Sequence, residues 1–255
     1  MAFTSWRGTM GLIKPTHRPG SLEETIRLLP EGIGVIPMTV GLAKGSRHEF
    51  LGTLDAIERR VAELAGLGGV DLIAPAGAPP FMVHGYEGEA EIVAAWEERY
   101  GLPVVTAGMT QVWAMRALGV RQIVGLSYFT GTLNDDFARY FTAAGIKVLS
   151  MSGIDVPFNR VQQLSGWEVY RHAKAAYLAH PDADAIYLLG AGWRILDIIE
   201  PLEQDCEVPV LHSVAARVWA TQRQFHTRQP RTGYGRLLAE LPPFASDESG
   251  NEVLR

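Results

Sequence analysis

Ala185-Ile186-Tyr187-Leu188-Leu189-Gly190-Ala191-Gly192-Trp193 is the stretch on which the reading of this 255-residue chain turns. It is a short apolar run, preceded by Asp182 and Asp184 and ended by glycines, the pattern of a buried strand. Arg194 to Leu202 beyond it reads as a helix. A strand that stops at Gly-Ala-Gly ahead of a helix leaves backbone N–H groups free at its mouth, a geometry suited to an anion. A second copy of the device lies earlier. Gly69-Val70-Asp71-Leu72-Ile73-Ala74-Pro75-Ala76-Gly77-Ala78-Pro79-Pro80 is again an apolar strand running into Gly and small residues. The segments downstream of the two copies match as well. Pro103-Val104-Val105 leads to Val112-Trp113-Ala114, and Pro209-Val210-Leu211 leads, after the same interval, to Val218-Trp219-Ala220. The chain therefore reads as an internal duplication, two α/β halves that each offer one glycine-ended strand.

Strands alternate with helical stretches along the whole chain. Gly11–Pro15, Gly34–Val40, Leu102–Thr106, Gln122–Ser127 and Ile146–Ser150 are further strands. Leu22–Leu29, Glu49–Leu67, Glu87–Tyr100, Thr110–Leu118, Asn134–Ala144 and Trp167–Ala179 are helices, the first opened by a capping-box pattern at Ser21 and Glu24. Gly41–Arg47 is a polar loop placed to cover a mouth, and Phe81–Tyr86 reads as a loop. This alternation predicts two pseudo-symmetric Rossmann-like halves, parallel sheets flanked by helices, with an active-site cleft between them. The expected division is residues 1–110 plus 218–241 for the first half and 111–217 for the second. Residues 242–255, acidic and polar, read as a disordered tail.

The hydrophobic share of 47% and charged share of 20% are those of a globular protein, so the core needs no staple. A net charge of −5, with no basic stripe, excludes a nucleic-acid footprint. No apolar run is long enough to span a membrane, and Met1–Met10 has no signal-peptide pattern, so a cytoplasmic location is expected. The single cysteine, Cys206, excludes an internal disulfide, and no Cys/His spacing points to a metal. No Gly-x-Gly-x-x-Gly or Walker pattern calls for a nucleotide cofactor.

In a parallel α/β sheet, ligands bind beyond the carboxyl ends of the strands. That rule gathers Pro15, Thr16 and Arg18, Gly77, Ala78, Pro79 and Pro80, Tyr128, Phe129 and Thr130, Gly190, Ala191 and Gly192, and His212 and Ser213 around one cleft. The backbone N–H groups of Ala78, Ala191 and Gly192 and the hydroxyls of Thr16, Tyr128 and Thr130 are expected to hold a carboxylate. Pro79, Pro80, Phe81, Phe129 and Trp193 are expected to form an apolar wall. His212 is the first candidate proton donor, because it ends a strand of the second half and an unperturbed imidazole titrates near neutrality. Tyr128 is the second and His17 the third. A structural histidine bonded to a backbone carbonyl is the competing reading of His212.

Four stretches carry a family likeness: Gly101-Leu102-Pro103-Val104-Val105-Thr106, Arg116-Ala117-Leu118-Gly119-Val120-Arg121, Ala185 to Ile199 with its Leu196-Asp197, and Gly233-Tyr234-Gly235-Arg236-Leu237. By these the chain resembles the aspartate/glutamate racemase superfamily, and within it the arylmalonate decarboxylase and maleate cis–trans isomerase branch. The resemblance implies an enzyme without metal or organic cofactor. It places family thiols, one per half, at Gly77 and Gly190; the decarboxylases also have glycine at the first and keep cysteine at the second. The family tyrosine falls at Phe129, with Tyr128 beside it, and the isomerase's asparagine at Asn159. The resemblance matches no family position to Arg18. The function expected is a cofactor-independent decarboxylase or lyase acting on a small (di)carboxylic acid of malonate type through an enediolate held by backbone amides. A maleate isomerase- or racemase-like enzyme with a non-cysteine acid/base, and a non-catalytic carboxylate binder, stand as alternatives. The expected partner is a small carboxylate; association with further copies of the chain is left open.

Overall fold

The structure, a computed structural model, describes residues 5–245. In chain order the elements are β1 (Gly8–Lys14), α1 (Gly20–Leu28), β2 (Ile33–Thr39), α2 (Arg47–Leu51), α3 (Leu54–Gly66), β3 (Leu72–Pro75), α4 (Pro79–Met82), α5 (Gly85–Tyr100) and α6 (Ala107–Ala117). Beyond them come β4 (Gln122–Ser127), α7 (Thr132–Ala143), β5 (Lys147–Gly153), a 3-10 helix (Phe158–Gln163), α8 (Gly166–Leu178), β6 (Ala185–Leu188), α9 (Leu196–Cys206), β7 (Val210–His212), α10 (Ser213–Gln224) and α11 (Arg236–Glu240). The strands form two parallel sheets, β2-β1-β3 and β5-β4-β6-β7. Val104 adds a single parallel bridge to Ile73 beside β3, where β7 stands beside β6. Both sheets thus share one strand order, and the duplication visible in the sequence is also one of topology.

β3 and β6, the two strands that end at glycine turns, are buried along their whole length. That explains their continuous apolar runs, since a parallel strand covered on both faces has no polar side. The Val-Trp-Ala helices, α6 and α10, pack against each other, and both are buried over most of their length. Phe244 closes the pair. Its ring meets Trp113 edge-on at 5.4 Å and Trp219 at 4.9 Å, and Trp219 Nε1 donates to the Pro242 carbonyl at 2.9 Å. The expectation of disorder from residue 242 is therefore corrected: Phe244 is an anchor joining the two repeat helices. Residues 246–255 of that tail lie outside the described residues.

Four local expectations change. The Ser21/Glu24 capping box does not form. Helix α1 starts two residues earlier with Pro19 at its N-cap, so both side chains fall inside the helix and are buried. The helix expected over Glu49–Leu67 breaks at Gly52-Thr53, where Thr53 Oγ1 donates to the Glu49 carbonyl. The expected loop after Pro80 opens with the short helix α4, started by two prolines whose missing N–H groups cost nothing there. The Leu102–Thr106 strand shrinks to one bridge, because Pro103 has no N–H and the Val104 N–H donates to Glu97 Oε1 at 3.0 Å.

Candidate active site

The carboxyl ends of both sheets open on one cavity. It is lined by Pro15, Thr16 and Arg18 after β1, Gly77, Ala78, Pro79 and Pro80 after β3, Tyr128 and Phe129 after β4, Gly190, Ala191 and Gly192 after β6, and Ser213 after β7. The two glycine turns therefore face the same space. Its volume is about 40 Å³; one water needs about 10–15 Å³ of such space. As it stands the cavity takes about three water-sized groups, the size of a carboxylate. A wider cleft of about 340 Å³, lined by Lys44, Arg47, Thr130 and Phe158 among others, shares Tyr128, Phe129 and Phe158 with it and leads outward.

Among the described residues that line the inner cavity, Arg18 alone is charged. Its guanidinium lies 4.3 Å from the Phe158 ring centroid and donates to the Phe158 carbonyl, while Lys14 Nζ donates to the Arg18 carbonyl and holds the loop. Burial pulls the Arg18 pKa down, and the Tyr128 phenol opposes that. The backbone completes the electropositive wall. The N–H groups of Gly77, Ala78, Gly190 and Ala191 make no hydrogen bond within the described residues. The Gly192 N–H, expected to be free, instead donates to Tyr128 Oη at 3.2 Å. A Cβ placed on Gly192 would sit 2.9 Å from Tyr128 Oη and 3.0 Å from Arg18 Nη1, so phenol and guanidinium converge on one point. Burial pushes the Tyr128 pKa up to about 12, offset in part by Arg18 and the Gly192 N–H. The phenol is thus protonated at neutral pH and stands beside two groups that stabilise its anion.

His212 is not in the cavity wall. It is fully buried, and Nε2 lies 3.1 Å from the Gly190 carbonyl. A carbonyl only accepts, so Nε2 carries the proton and Nδ1 is bare, with no partner. Burial lowers the His212 pKa to about 4, opposed by the bond to Gly190 and reinforced by Arg217. A neutral imidazole with its proton committed to a carbonyl is a support for the Gly190 turn. The structural reading of His212 replaces the expectation of a proton donor. His17 is exposed and outside the wall, Asn159 is exposed in the 3-10 helix, and Thr130 reaches only the outer cleft. Phe81 and Trp193, expected in the apolar wall, are core residues. Leu42, Phe50, Phe158 and Ser21 line the cavity instead, and Ser213 lines it as expected. The first four carried no signal in the sequence, whereas Ser213 was marked by its place after a strand of the second half. Cys206 is buried at the end of α9, outside the cavity. No cluster of three or more His, Cys, Asp or Glu fit to hold a metal occurs among the described residues, and no described helix is long and apolar enough to cross a membrane.

The arylmalonate decarboxylase family model matches residues 10–238, which span both sheets and every cavity-lining residue. The chain belongs to that family. The family is one of enzymes. An arylmalonate decarboxylase of Bordetella bronchiseptica is 25% identical over 238 residues, 91% of this chain and 97% of that protein. Two solved structures share the fold. One is a double mutant of arylmalonate decarboxylase in a liganded form, with a TM-score of 0.84 and 24% identity over 91% of this chain and 99% of that one. The other is a Nocardia farcinica maleate cis–trans isomerase mutant with a covalently bound succinylcysteine intermediate, with a TM-score of 0.84 and 20% identity over 91% and 98%. Glycine stands in this chain at both positions, Gly77 and Gly190, where the resemblance places the family thiols.

Proposed function

We propose that the chain is a cofactor-independent decarboxylase of a small acid of malonate type, working without a thiol. One observation carries the reading: the turns at Gly77 and Gly190, with unengaged N–H groups, enclose one small cavity with Arg18 and Tyr128. Loss of CO2 breaks the bond between the α-carbon and one carboxyl group. The electron pair moves onto the remaining carboxylate, which becomes an enediolate. Donors fixed in advance at those oxygens favour the transition state over the ground state, and each is usually worth about 2.7–4 kcal/mol. Gly77, Ala78, Gly190 and Ala191 supply such donors, and Arg18 supplies a full charge. The leaving carboxylate faces Leu42, Phe50, Pro79 and Phe129, where nothing compensates its charge and departure as neutral CO2 is favoured.

The enediolate then needs a proton at its α-carbon. Tyr128 is the group best placed to give it. Its phenol is protonated at neutral pH, borders the cavity, and leaves a phenolate beside Arg18 and the Gly192 N–H. A cysteine adduct of the kind named for the Nocardia protein has no thiol to form on here, since the cavity-lining nucleophiles are hydroxyls. Incubation with a panel of substituted malonates and with maleate, followed by CO2 and product analysis, tests the proposal. Release of CO2 from a malonate supports it. Turnover of maleate alone moves the assignment to isomerase, and turnover of neither refutes it.

A further inference from the structure

Several polar groups at the floor of the cavity take no part in that chemistry. Ser213 lines the cavity at 2% exposure, and its Oγ has no hydrogen-bond partner. It opens α10, twelve residues long, whose N-cap His212 supplies no side-chain cap. Ser21 lines the same cavity in the first turn of α1, nine residues long, whose N-cap Pro19 supplies none either. The two helices pack together, tied one turn deeper by Arg217 Nη2, which donates to Thr25 Oγ1 at 2.9 Å. Arg217 is 1% exposed, and its Nε and Nη1 are without partners. Two uncapped helix N-termini, each with a positive partial charge, thus end at one cavity with a buried guanidinium beneath them.

An unpartnered buried hydroxyl destabilises a folded protein unless a ligand completes it. The strand pairing says where that ligand sits. β7 lies beside β6 with His212 opposite Leu188, so Ser213 adjoins the Gly190 turn. Gly190 and Ala191, whose N–H groups are unengaged, line the same cavity as Ser213. A carboxylate, with about four acceptor sites on two oxygens, matches such a group of donors.

We propose that the N-termini of α1 and α10, with Ser213 as the principal side-chain donor and Ser21 and Arg18 beside it, hold the carboxylate that the substrate keeps. The word "keeps" rests on the decarboxylase reading; binding of a carboxylate at this floor does not. Ser213 is then a substrate-binding residue, and the ligand class is a small acid with at least one ionised carboxyl group.

Thermal melts of the wild type, Ser213→Ala and Ser213→Thr with malonate or with uncharged malonamide test this, with CO2 release measured separately. Malonate is expected to raise Tm and malonamide to leave it unchanged. Ser213→Ala is expected to raise the Tm of the ligand-free protein, by removing the orphan hydroxyl, and to weaken malonate about tenfold. Ser213→Thr, which keeps the hydroxyl, is expected to retain malonate affinity. A lower ligand-free Tm for Ser213→Ala with malonate affinity unchanged would make Ser213 structural and overturn the inference. If no malonate is decarboxylated yet Ser213→Ala weakens malonate, the decarboxylase reading falls and this site stands. If malonates are decarboxylated and malonate affinity ignores Ser213, the reverse holds.

Discussion

Replacing Gly190 by cysteine would restore a thiol where the family resemblance puts one, and the structure predicts that this fold rejects it. Gly190 has φ +115°, a backbone region open essentially to glycine, and any other residue there costs about 1–3 kcal/mol. The Cβ would also run into Cε1 of the Tyr128 ring, with Cζ 2.5 Å away. That ring is fixed by Phe129 at 4.7 Å and Trp193 at 5.0 Å, so it has little room to yield, and overpacking costs a further ~1–3 kcal/mol. The sum is about 2–6 kcal/mol. At about 2–4 °C per kcal/mol for a chain of this size, Tm falls by roughly 10 °C. Gly77→Cys is the internal control. Gly77 has no positive φ, and its Cβ would meet only Pro15 at 3.0 Å, so a loss of about 1 kcal/mol is expected. Calorimetric melts of the three proteins at one pH decide the matter. A Gly190→Cys protein that melts within about 2 °C of the wild type would refute the claim that the Tyr128 ring leaves no room for a side chain at Gly190.

The remaining predictions concern Tyr128, His212 and Glu89. Tyr128→Phe keeps the ring contacts and removes the phenol, so kcat on the preferred malonate should fall about 10²–10³-fold with Tm nearly unchanged; a loss under threefold in steady-state assays would remove Tyr128 from the mechanism. His212 has a folded pKa of about 4 against 6.5 when unfolded, so the unfolded chain binds the proton first. Its contribution is complete above pH 6.5 and is lost as pH falls toward 4, about 3 kcal/mol in all. His212→Gln should therefore flatten the acid limb of a urea-denaturation series and leave the pH dependence of kcat in place. A shifted kinetic pKa would return His212 to the chemistry. Glu89 is fully buried, accepts from the Tyr140 hydroxyl at Oε2 and has Oε1 unpartnered; burial raises its pKa to about 7. The unfolded chain ionises it from about pH 4.5, so stability falls as pH rises from 4.5 to 7. Glu89→Gln should match the wild type at pH 4 and exceed it by about 3 kcal/mol at pH 8, read from the same denaturation series.

The fold was legible in the sequence because β3 and β6 are buried on both faces and end at glycines, which leaves an unbroken apolar run with sharp punctuation. The equal spacing to the two Val-Trp-Ala helices then exposed the repeat. The site was legible as far as topology reaches: each loop after a strand contributes to the cavity, including the Gly77 and Gly190 turns. What the sequence does not encode is which side chain of a loop points inward. His212 and Ser213 are adjacent, yet the histidine turns back to the Gly190 carbonyl while the serine, at the start of α10, lines the cavity. Phe158 and Asn159 divide the same way, the ring lining the cavity and the amide residue exposed. Capping patterns misled for a related reason. Ser21 and Glu24 have the spacing of a capping box but are buried inside α1, whereas Ser165 and Glu168 make the reciprocal bonds at the start of α8.

The central claim is that two glycine turns, one from each half, close on a single small anion. A crystal structure of the protein grown with malonate tests it most directly. The account predicts one carboxylate of malonate in the inner cavity, its oxygens within hydrogen-bond reach of N–H groups at Gly77 or Ala78 from one half and Gly190 or Ala191 from the other, with Arg18 alongside. Malonate held only in the outer cleft by Lys44 and Arg47, or absent from the cavity at saturating concentration, would contradict it.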